Sequence, residues 1–184
     1  MTDERSTKIM TAIFRDRDAA ERAYGALMNR GYKSKDVNLL MSNETRERCF
    51  PRTERATTEL GSKAKEGAGI GAVAGGGLGA LLAGMAASGI AVPLLPIIAI
   101  GPLAAALGGA ATGGTLGAVV GALVGAGIPE ERAKLYDTGI KEGGIVIGVT
   151  PLGDEDTGYL EDEWTKAGGD QIYRPDAEPI RRDR

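Results

Sequence analysis

From Gly67 to Pro129 no residue carries a charge, while the segments on either side are rich in acids and bases. A stretch that long and that apolar has to be shielded from water, either by lipid or by other copies of the chain. Small residues recur through it at every fourth position. One row runs Gly67, Gly71, Gly75, Gly79, Ala83, Ala87 and Ala91, and a second runs Gly101, Ala105, Gly109, Gly113, Gly117, Gly121 and Gly125. On a helix of about 3.6 residues per turn such a row drifts by about 40° per step and forms a smooth, shallow groove. A second helix can approach that groove at backbone contact. Gly67, Gly71, Gly75, Gly79, Ala83, Gly109, Gly113, Gly117, Gly121 and Gly125 are therefore the expected self-association residues.

The same composition makes the tract a poor helix on its own. It holds 18 of the chain's 29 glycines between Gly67 and Gly127, each about 1 kcal/mol less favourable than alanine in a helix interior. Lipid or close helix packing has to offset that. Pro93, Pro96 and Pro102, in AVPLLPIIAIGP, interrupt the tract near its middle. The expectation is a helical hairpin over 67–128 with legs of roughly 25 residues, each enough for a hydrocarbon core of about 30 Å. Its tip carries no charge, Trp or Tyr, which is unusual for a tip exposed across a bilayer. Two readings stay open here. One is a membrane hairpin that oligomerises in lipid, with the termini in the cytoplasm. The other is a cytoplasmic, soluble homo-oligomer whose hairpins pack inside and hold lipid, quinone or another hydrophobic cargo.

The flanks read as folded protein. Ile9–Phe14 is apolar on both faces and suits a buried strand. Asp18 with Glu21 three residues on predicts an N-cap and capping box for a helix through Ala19, Ala23, Tyr24, Leu27 and Met28, stopped by Gly31. Val37–Met41 is a second strand, and right-handed crossover makes it parallel to the first, whether the two are neighbours or separated by another strand. A polar connector covers 43–66. On the far side Pro129 fits the first helical position of PEERAKLYDTGIKEGG, with Glu130 and Glu131 at the positive end of the helix dipole. A strand at Ile145–Val149, a helix over Asp154–Ala167 and a short strand at Gln171–Tyr173 follow. The expected class is α+β, a ferredoxin-like βαββαβ domain in two parts, 8–42 and 129–174, with the glycine-rich hairpin between its second and third strands. Residues 175–184 read as a disordered tail.

Composition removes several kinds of chemistry. The chain has no histidine and one cysteine, Cys49, so imidazole catalysis, thiolate metal clusters and internal disulfides are excluded. Aromatic content of 4% and a formal charge of −3 argue against nucleic-acid binding. Gly69-Ile-Gly71-Ala-Val-Ala74 matches a dinucleotide fingerprint in letters alone, because a charged lead-in replaces the strand and no acid follows within the tract. The acids at Asp154–Asp156 and Glu161–Glu163 suit a helix N-terminus and a solvated face, and Tyr24, Tyr136, Tyr159 and Trp164 suit packing. No catalytic, cofactor or metal residue is expected. The charged N-terminus MTDERSTK does not read as a secretory signal.

The segments IMTAIFRDRDAAERAYGALMNRGY and GALVGAGIPEERAKLYDTGIKEGGIVIGV, with the glycine rows between them, resemble the bacterial heat-induced or general stress protein family. The likeness covers Lys8 to Tyr173, and GIPEERAKLYDTGIKEGG is its most specific piece. The resemblance implies a ferredoxin-like domain with a hydrophobic helical insertion, a bacterial origin and a stress setting. It implies no catalytic residues.

Overall fold

The computed structural model describes residues 9–50, 77–79, 81–82, 92–94, 97–104 and 117–175. They form an α+β fold built on one antiparallel sheet. In chain order the elements are β1 (Met10–Phe14), α1 (Arg17–Asn29), a 3-10 turn (Ser34–Asp36), β2 (Val37–Ser42) and α2 (Asn43–Cys49). These are followed by β3 (Val92–Leu94), β4 (Ile97–Ile100), α3 (Ala118–Gly125), α4 (Glu130–Lys141), β5 (Ile145–Val149), α5 (Asp154–Lys166) and β6 (Asp170–Tyr173). The sheet order is β3-β4-β2-β5-β1-β6. β1 and β2 both pair antiparallel with β5, so they run parallel to each other on either side of it, as the crossover argument requires.

Every residue of β1 and β5 is buried, because helices cover both faces of the sheet. Alternate side chains divide between two cores. Met10, Ala12, Phe14, Leu39, Met41, Ile145, Ile147, Ile98 and Ile100 pack with α1 and α5, and Trp164 meets Phe14 edge-on at 6.0 Å. Ile13, Leu40, Val146, Ile97 and Ala99 point the other way, against Val119, Ala122 and Leu123 of α3 and Ala133, Tyr136 and Ile140 of α4. α1 ends as expected at Gly31 (φ 96), with Tyr32 N–H bonded to the Leu27 carbonyl and Gly31 N–H to that of Met28.

Several expectations need correction. Asp16, rather than Asp18, caps α1, its carboxylate accepting from Ala19 N at 2.8 Å. Glu21 makes no capping box and instead accepts from Leu78 N, in the insertion, at 2.8 Å. The polar connector opens with a helix, α2, capped by Ser42 and followed by buried Phe50. Pro129 takes the N-cap position of α4, one residue before the helix starts.

The largest difference lies in the middle of the glycine-rich tract. The proline-bearing segment expected to be the tip of a helical hairpin is a β-hairpin, β3–β4, hydrogen-bonded to the edge of β2 with Leu39 opposite Ile100 and Ser42 opposite Ile97. Short β-branched runs cannot be told from helix segments by periodicity alone, and here the open edge of β2 decides the matter. The outer strand of the pair carries Pro93, a residue that sheets confine to edges and bulges. Around this edge the insertion holds both faces of the sheet. Leu78, Leu81 and Leu82 join the core under α1 and α5, while Leu103, Ala104 and α3 join the other. Among the described residues no helix is long and apolar enough to cross a membrane.

Candidate functional site

α3 is the described part of the glycine rows with the most to say about association. Its sequence, AVVGALVG, contains no polar side chain. Val119, Ala122 and Leu123 face the core, and a Schellman-like end closes the helix, with Ile128 N–H bonded to the Leu123 carbonyl and Gly127 (φ 88) to that of Val124. The opposite side has no neighbour among the described residues. Gly117, Gly121 and Gly125 are exposed, and a Cβ built on any of them meets nothing within 4 Å. Val124 lies on the same side at 42% exposure. A helix apolar all round is normally covered all round, and among the described residues α3 is covered on one half only.

The other association candidates divide two ways. Gly79 lies in a helical segment on the opposite face of the sheet, where a Cβ would touch the Phe50 ring at 3.8 Å. Gly67, Gly71, Gly75, Ala83, Gly109 and Gly113 lie outside the described residues. The structure thus brings Gly117, Gly121 and Gly125 together on one surface and places Gly79 elsewhere.

A polar latch in the second core holds the chain where it leaves β4. Asn38, on β2 and 2% exposed, accepts from Leu103 N through Oδ1 at 2.7 Å and donates from Nδ2 to the Gly148 carbonyl at 3.3 Å. Gly101, at φ 95, lets the chain turn out of β4 directly over β2, where a Cβ would collide with the Val37 carbonyl oxygen. The sequence reading does not single out Asn38, and it includes Gly101 only as a member of the second small-residue row. The only local signal was an Asn inside an otherwise apolar strand.

A second polar cluster ties α1 to α5. The Asp156 carboxylate, 9% exposed, accepts from Arg30 Nε at 2.7 Å and from the Tyr32 hydroxyl at 3.0 Å. Burial by itself would raise the Asp156 pKa, but the bonds from Arg30 and Tyr32 outweigh it and hold the group below the usual carboxylate range. The Arg30 guanidinium also lies over the Tyr159 ring at 4.9 Å. Of the three acids expected to be solvated at the start of this helix, Asp156 is therefore structural. Tyr136 is buried and donates to the Gln171 carbonyl at 2.7 Å, with Thr11 Oγ1 at 2.9 Å. Its phenol is pushed up to about 12, chiefly by burial. It pins Gln171, which sits at φ 52 in the irregular pairing of β6 with β1.

Chemically these groups are all committed. At neutral pH Asp156 is ionised and saturated, and the Tyr136 phenol is neutral and bonded to backbone, so neither is poised to move a proton. Cys49 is a half-buried free thiol. Among the described residues no group of three or more Cys, Asp or Glu side chains comes together to hold a metal ion. No protein-family model matches the chain, and no curated protein or solved structure does.

Proposed function

We propose that this is a non-enzymatic, self-associating protein whose glycine-rich insertion packs against the insertions of sister copies. The observation that supports the reading is the outer half of α3, an uncharged surface of Gly117, Gly121, Val124 and Gly125 that is exposed and, among the described residues, uncovered. Such a surface has nothing to offer a polar ligand, but it lets another helix come close. α3 spans only about 12 Å at 1.5 Å per residue, so a stable contact also draws on the rest of the tract. We read β1-α1-β2 and β5-α5-β6 as a ferredoxin-like unit, with everything between β2 and β5 inserted into it and α3 and α4 covering its second face.

Sister copies are favoured over hydrocarbon because the tract is anchored to the sheet at several points. It touches the cores at Leu78, Leu81 and Leu82, again from Ile97 to Ala104, and again at Val119. The stretches between these anchors, 83–96 and 105–118, are each shorter than the roughly 20 residues a spanning helix needs. On these grounds the reading takes the soluble assembly ahead of the bilayer hairpin. A role under bacterial stress rests on the family resemblance of residues 8–173.

The test is to express the full chain and separate membranes from supernatant without detergent, then size the soluble fraction. The reading expects a soluble species several times the monomer mass. A monomer at every concentration overturns self-association, and recovery only in a detergent-extractable pellet overturns the preference for sister copies over lipid.

A further inference from the structure

We draw no further inference here: the strongest candidate, the shallow hollow of about 370 Å³ between the end of α1 and the start of α5, lined by Arg30, Leu152, Gly153, Glu155 and Asp156, carries nothing because its guanidinium is already engaged by Asp156 and stacked on Tyr159 and nothing in the structure shows what would occupy it.

Discussion

Gly101→Ala separates a tip docked on the sheet from a tip in a helical hairpin by the sign of its effect. Gly101 stands at φ 95, where β4 gives way to the turn that carries Leu103. An alanine Cβ there collides with the Val37 carbonyl oxygen and crowds Asn38 Cα at 3.0 Å. Holding an L-residue in the left-handed region costs about 1–2 kcal/mol. Overpacking against backbone adds about 1–3 kcal/mol, and β2 has little room to yield because it is paired on both sides, with β4 and β5. The loss is then about 2–5 kcal/mol, a large part of the roughly 5–15 kcal/mol by which a domain is stable. With a urea slope of about 2 kcal/mol/M, a loss of about 3 kcal/mol lowers the midpoint by about 1.5 M. In a helical hairpin the same change replaces a poor helix former with the best one and stabilises by up to about 1 kcal/mol. Urea unfolding of both proteins, followed by far-UV circular dichroism at one low concentration, reads the difference. A midpoint that holds or rises refutes the docking of β3–β4 on β2 as the source of the effect.

Three other substitutions probe the polar clusters. Asp156→Asn removes a carboxylate that accepts from Arg30 and Tyr32, and the cost is about 1–2 kcal/mol because Arg30 is 39% exposed and can rehydrate. As the folded pKa of Asp156 is lowered, its contribution is present above the unfolded value of about 3.9 and is lost as pH falls below it. The variant should therefore lose less stability between pH 4 and lower values, and an acid limb identical to that of the native chain contradicts the cluster. Tyr136→Phe should cost about 1–3 kcal/mol at neutral pH by stranding the Gln171 carbonyl. The raised folded pKa of Tyr136 makes its stabilisation complete below about pH 10 and lost as pH climbs towards about 12. The Phe variant should show a shallower alkaline loss, with Tyr32, also raised to about 12, and Tyr24, raised by burial, contributing to what remains. Gln171→Gly relieves the left-handed conformation at φ 52 while giving up an exposed bond from Arg132, so the thermal midpoint should rise by about 2–4 °C for a gain of about 1 kcal/mol. A lower midpoint refutes that account of the position.

Local pattern carries β1, β2 and β5, because short, largely apolar runs between charged segments mark strands buried on both faces. It also carries the helix ends, where Gly31 and the Gly143-Gly144 pair supply the left-handed step and its follower. What it misses depends on partners far along the chain. The sequence pattern puts the cap of α1 at Asp18, but β1 ends at Phe14 and the helix starts early enough for Asp16 to take that place. Glu21 looks like a capping-box acid until Leu78 presents a backbone N–H to it. Asp156 reads as one of three solvated acids, yet Arg30 and Tyr32, more than a hundred residues earlier, bury and hold it. Ile97–Ile100 reads as part of the tip of a helical hairpin because nothing nearby reveals that β2 has an open edge for it. The glycine spacing places Gly117, Gly121 and Gly125 in one row, but it is silent on which side of the helix the core will take. Val119, Ala122 and Leu123 settle that, leaving Gly117, Gly121 and Gly125 outside.

Sedimentation equilibrium of the full chain in detergent-free buffer, with Gly121→Leu run beside it, tests the association account most directly. Position 121 is mid-helix with open space around it, so leucine leaves the single chain's fold and thermal midpoint intact while filling the groove. The account predicts an oligomer for the native chain and a shift towards monomer for the variant at unchanged far-UV dichroism. Equal masses for the two, or a native chain that is monomeric throughout, would contradict it.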